Sequence, residues 1–195
     1  MALSETDRLE AFSDGVMAVI ITIMAFEVHR PDAPTLHALR AAVPDLLVYV
    51  LSFAIVGIYW NNHHHLLRAT ERLSGAVMWA NLHLLFWLSL LPIFTSWVGV
   101  FPNHAVTAGA YGVIGLGAAT AFWILVRAII RANGEDSVVA RGIGSDRKGN
   151  LSLVFYAVGI GLSPVSAAAS YTLYAAVALL WFVPDRRLAG ASSEP

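Results

Sequence analysis

The chain has no cysteine, so disulfides, thiolate metal ligands and a cysteine nucleophile are all excluded. Charge is scarce as well. Only 13% of the 195 residues are Asp, Glu, Lys or Arg, against 57% that are hydrophobic, whereas a soluble domain carries about 25% charged residues. The net charge of −1 gives no sign of a nucleic-acid partner. Gly-x-Ser-x-Gly, His-Glu-x-x-His and phosphate-loop motifs are absent, which argues against an enzyme. The acidic start (Glu5, Asp7, Glu10) and the lack of a small-residue cleavage site read as a retained first helix rather than a signal peptide. No internal repeat of the whole unit is visible.

What remains is an all-α integral membrane protein. Six apolar stretches approach the ~20 residues that cross a bilayer: 8–28, 44–67, 76–100, 104–130, 150–166 and 167–183. The weakest boundary is the turn at Ser163-Pro164, and five spans with a re-entrant last pair is the alternative count. With six crossings, only Arg30 and Arg40 of the 12 basic residues lie opposite the N-terminal side, so both termini are expected in the cytoplasm. Residues 1–188 read as a single six-helix unit and 189–195 as a frayed tail, with the Gly-rich 132–149 loop a mobile connector.

Asp14 is costly near the start of the first span, at roughly 2.5–3.5 kcal/mol on insertion scales, and needs a partner. Arg8 is a poor one within the same helix, because six residues turn the chain by about 600°, which leaves the two side chains about 120° apart rather than at the i+3 or i+4 spacing of helical neighbours. The second and third spans place Trp60, His63, His64 and Asn81 at a similar depth on the cytoplasmic side. The expected structural network therefore joins Ser13, Asp14, His63 or His64, and Asn81, with Trp60 close by and Arg8 at its mouth. It reads either as a proton or ion relay or as polar glue between helices. The lack of a carboxylate on another span to pass protons onward favours glue. Consecutive histidines at 63, 64 and 65 point about 100° apart and lack metal-ligand spacing, so no metal site is expected.

Val19, Thr22, Ile23 and Phe26 recur at i, i+3, i+4 and i+7 and share one stripe, with Glu27 just past its outer end. The stripe suits either ordinary core packing or, if several copies surround an axis, a pore of apolar rings with one hydroxyl ring and an acidic mouth.

The pattern Arg8-x-x-x-Phe12-Ser13-Asp14-Gly15-Val16-x-Ala18-x-x-x-Thr22 resembles the signature of the transmembrane protein 175 family of potassium channels. Weaker similarity extends through 49–65, 81–97 and 174–184. The resemblance implies a prokaryotic, one-unit member that assembles as a homotetramer, with the first helix of each copy around a central pore. It implies K+ as the permeant ion and no cofactor. Matched residue by residue, it assigns the pore constriction to Val19, Ile23 and Phe26 and the pore hydroxyl to Thr22. It assigns Arg8, Phe12, Ser13 and Asp14 to a structural network. Val19 and Phe26 depart from the family's more usual Ile or Leu and Leu, which moves the narrowest point outward. No Thr-Val-Gly-Tyr-Gly filter is present, since Tyr111-Gly112-Val113 lacks its flanks, so potassium preference is expected to be modest. The rival reading is a proton-coupled secondary transporter using Asp14 and the histidines, but the internal repeats and broken midplane helices of such proteins are not evident.

Overall fold

Ser4 starts the first helix. Its hydroxyl accepts the Asp7 N–H at 3.0 Å while the Asp7 carboxylate accepts the Ser4 N–H at 3.0 Å, a reciprocal cap for the free amides of the first turn. The computed structural model describes residues 4–144 and 146–182. These form α1 (Glu5–Glu27), α2 (Leu36–Ala41), α3 (Val43–Arg68), α4 (Gly75–Ser89), α5 (Leu91–Val100), α6 (Ala105–Asn133), α7 (Val138–Ile143), α8 (Arg147–Leu162) and α9 (Ala167–Phe182), with no strand among the described residues. The expected 189–195 tail, the end of the 1–188 unit, Arg186 and Arg187 lie outside them.

Four apolar helical stretches are long enough to cross a membrane: Glu5–Glu27, Val43–Arg68, Gly75–Val100 and Ala105–Asn133. The third, expected as one span, divides at Leu90 into α4 and α5. Pro92 explains the break, because it has no N–H to continue the helix and its ring crowds the carbonyl four residues back. α8 and α9, at the places expected for spans five and six, have 16 residues each, or about 24 Å at 1.5 Å per residue. They form an antiparallel pair, pinned at one end by Ser170 donating to the Gly159 carbonyl at 2.7 Å and at the other by Trp181 donating to Ser152 at 2.8 Å.

Within the connector expected to be mobile over 132–149, residues 138–143 form a helix packed on the bundle. Ser137 caps α7, Val139 is fully buried and Ile143 packs against the core. The glycines and charges of this segment conceal one apolar face four residues long, enough to seat a single short helix.

α6 runs through the middle of the bundle, against α4 and α5 on one side and α8 and α9 on the other. Its small residues allow close approach. A Cβ at Gly115 would overlap the buried Tyr156 ring, and one at Gly112 would overlap Tyr174. Tyr174 in turn donates to the Ala108 carbonyl at 3.2 Å and stacks on Tyr156 at 5.4 Å between centroids. Gly115→Val is therefore expected to destabilise the fold by about 1–3 kcal/mol through overpacking, measured as a lower melting temperature in detergent. Gly161→Ala, where an added methyl meets open space, is the control and should leave it unchanged or slightly raised. Equal melting temperatures for Gly115→Val and wild type would show that Tyr156 has room to move.

Candidate functional site

α1 has two unlike faces. Ser13, Met17, Ile20 and Met24, spaced by four, three and four, are buried against the rest of the chain. On the other side, Val19 is 55%, Ile23 45% and Phe26 88% exposed, and Thr22 is exposed between them. The Thr22 hydroxyl donates to the Val19 carbonyl at 2.9 Å. Glu27 is exposed at the outer end. Arg8 and Phe12 continue the same line at the other end and are exposed too. No described part of the chain covers the stripe from Val19 to Phe26, about 10 Å of helix face, whereas Arg8 and Phe12 border a groove shared with Met78 and Leu82 of α4.

The polar groups near the start of α1 form two layers. In the inner layer, Asn81 on α4 donates through Nδ2 to Ser13 Oγ at 2.9 Å and accepts at Oδ1 from His63 Nε2 of α3 at 2.7 Å. The Ser13 hydroxyl in turn donates to the Leu9 carbonyl at 2.8 Å. The chain of donors fixes the His63 tautomer, since an amide oxygen only accepts and Nε2 must carry the hydrogen. All three side chains are fully buried. In the outer layer, Trp60 Nε1 donates to Asp14 Oδ1 at 3.0 Å, and His64 Nδ1 lies 2.6 Å from Glu10 Oε1. The Trp60 and His64 rings stack at 5.9 Å.

The expected network is thus divided between these layers. Ser13, His63 and Asn81 meet, but Asp14 turns to Trp60 and His64 to Glu10. Arg8 and Phe12 are not brought to either layer within one chain. Both lie on the exposed face, about 600° and 200° of helix turn from Asp14 respectively. Glu10 went unnoticed in the sequence, although a signal was there. Glu10 and Asp14 are four apart, as are Trp60 and His64, so each pair shares a helix face.

A second polar group, also missed, lies deeper. Thr95 Oγ1 donates to Ser52 Oγ at 2.7 Å, and Ser52 pairs with the Tyr111 hydroxyl at 2.8 Å, all three buried. At the far end of α1, Asp45 accepts the His29 backbone N–H at 2.9 Å, with His29 Nδ1 at 3.5 Å. These contacts join helices. None of them pairs a nucleophile with a base in the manner of a reaction centre.

The family model described as "Endosomal/lysosomal potassium channel TMEM175" matches residues 8–92, the stretch that holds both faces of α1 and both polar layers. A potassium channel of Chryseobacterium sp. (strain P1-3) is 45% identical over 181 residues, covering 93% of this chain and 94% of its own. A potassium channel of Streptomyces collinus is 31% identical over 97% of this chain and 100% of its own. In three dimensions the chain is similar to the crystal structure of a lysosomal potassium-selective channel TMEM175 homolog from Chamaesiphon minutus. The TM-score is 0.83 at 26% identity, over 94% of this chain and 99% of that one. By sequence along nearly its whole length, and by the fold that sequence adopts, this multi-pass membrane protein belongs to the TMEM175 family, whose members are named as channels and not as enzymes.

Proposed function

We propose that the protein is a potassium-preferring cation leak channel, a homotetramer in a prokaryotic plasma membrane with both termini in the cytoplasm. Residues 1–188 form one six-span unit and 189–195 a tail. The observation that carries this reading is the uncovered stripe of Val19, Thr22, Ile23 and Phe26 on a helix whose other face is buried. Four copies around one axis would cover all four stripes by the same contact, as cyclic symmetry requires. The potassium-channel names of the two sequence relatives support the choice of ion. The transporter alternative is not carried forward, because these relatives are all named as channels.

In this mechanism Val19, Ile23 and Phe26 form successive apolar rings that hold water and ions out by dewetting. A small outward tilt or rotation of α1 widens and wets them. Thr22 supplies a ring of hydroxyls, and Glu27 gathers cations at the mouth. Selectivity comes from ion dehydration at these rings and is modest. The polar layers around Ser13, Asp14, Trp60, His63, His64 and Asn81 anchor the inner end of α1, and no cofactor takes part. α8 and α9 complete six crossings, their ~24 Å length accommodated by local thinning of the bilayer.

The direct test is purified protein in planar bilayers with potassium on one side and sodium on the other. Unitary currents reversing toward the potassium equilibrium potential are expected, and a silent bilayer with saturable, gradient-driven uptake in liposomes would sink the channel. Ile23→Asn should raise current several-fold or relax selectivity by easing hydration of the constriction. Unchanged permeation in a well-expressed variant would remove Ile23 from the pore. Asn81→Leu breaks two buried hydrogen bonds and should cost about 1–2 kcal/mol, or roughly 2–8 °C of melting temperature. Asp14→Ala should lower the fraction of folded tetramer on size exclusion, and wild-type levels of stable tetramer would defeat its anchoring role.

A further inference from the structure

We propose that Glu10, Asp14 and His64 form a binding site for a divalent transition-metal ion, Zn2+ or a similar cation, that locks α1 against α3. The locking rests on the reading of α1 as the pore helix, whereas the site stands on geometry alone. One oxygen of each carboxylate and a ring nitrogen of His64 lie within 4.8 Å of one another. The three groups come from two different helices, and all are half-buried. Their arrangement follows from spacing: Glu10 and Asp14 are four residues apart on one face of α1, and His64 reaches that face from α3.

Several features set this cluster apart from an ordinary surface ion pair. His64 Nδ1 is 2.6 Å from Glu10 Oε1 yet makes no aligned hydrogen bond, so a buried ring nitrogen lies beside a carboxylate without being satisfied by it. The other two polar groups of this layer are already committed. Asp14 is oriented by the Trp60 Nε1–H at 3.0 Å, and Trp60 stacks on the His64 ring, which limits the rotation of both ligands. Metal sites use this kind of outer support to hold their ligands.

The donor set selects the ion. One imidazole and two carboxylates suit Zn2+, Co2+ or Ni2+, whereas Ca2+ and Mg2+ take oxygen ligands only. Zinc binds nitrogen at about 2.0–2.1 Å and carboxylate oxygen at about 2.0–2.2 Å, so tetrahedral ligands sit about 3.3 Å apart. The His64–Glu10 contact must open by less than an ångström and the remaining gaps must close, changes within reach of side-chain rotation. Three protein ligands leave the fourth position to water. A bound ion replaces a loose contact between α1 and α3 by coordinate bonds. The outward movement of α1 that opens the pore is then resisted, and the metal acts as an inhibitor.

The test uses tag-free protein in detergent titrated with Co2+, whose d–d absorption reports nitrogen and oxygen coordination directly, with Zn2+ as competitor. One Co2+ per chain is expected. Glu10→Gln and His64→Gln should each weaken binding by about tenfold or more, while Glu10→His, which restores a ligand at the same place, should recover it. The same affinity and spectrum in both Gln variants, or no d–d bands in the wild type, overturns the site. In bilayers, Zn2+ on the N-terminal side should reduce wild-type current and spare Glu10→Gln. Binding that leaves the current unchanged overturns the lock. A wild type that is silent without metal counts against the channel reading, and the Co2+ spectrum still decides the site.

Discussion

A polar side chain inside an apolar bundle has no water to turn to, and here a single amide meets most of that constraint, with His63 Nδ1 left without a hydrogen-bond partner among the described residues. Asn81 reaches Ser13 on α1 with its nitrogen and His63 on α3 with its oxygen, so three helices are held at one depth by two bonds of 2.9 and 2.7 Å. Each such bond is worth little in a membrane, on the order of 0.6 kcal/mol. Its weight lies in the alternative, since losing the partner leaves a buried group unsatisfied. With Ser13 facing inward, helical periodicity turns Met17, Ile20 and Met24 inward as well. The opposite face, from Val19 through Phe26, is then left uncovered by the described residues.

The remaining buried polar contacts repeat this solution at other depths. Ser52, Thr95 and Tyr111 satisfy one another where α3, α5 and α6 meet. Asp45 collects the backbone at the end of α1 and packs so closely on Gly99 that a side chain there would overlap it. α1 is consequently tied to its neighbours near both ends and bare along one side. The inner tie also contains the only carboxylates among the described residues that approach a histidine at that end, so control of the helix and its anchorage fall in the same place.

Long apolar helices were legible because composition and length alone mark them. The expected 8–28, 44–67 and 104–130 correspond to α1, α3 and α6 within a few residues at each end. The division of α4 from α5 was missed because the apolar run continues unbroken across Pro92, and only hydrogen-bond geometry distinguishes a kink from a straight helix. α7 was missed because one buried turn is too short to show a period. The polar groups were legible as a set at one depth. Their pairing was not: Asp14 was expected with Ser13 and Asn81, while the structure gives it to Trp60 and supplies Glu10 for His64.

The sequence by itself determined that the chain is helical and membrane-embedded, which residues of α1 lie along one line, and to which family the Arg8 to Thr22 motif points. These properties are local. Helical periodicity and apolar length depend only on residues close together in the chain. Only the tertiary structure decided which face of α1 is buried, which histidine meets Asn81 and which meets Glu10, and that two carboxylates and an imidazole converge between α1 and α3. Those outcomes depend on how two helices are rotated against each other. A turn of about 100° between His63 and His64 exchanges their partners, and nothing within either helix sets that angle.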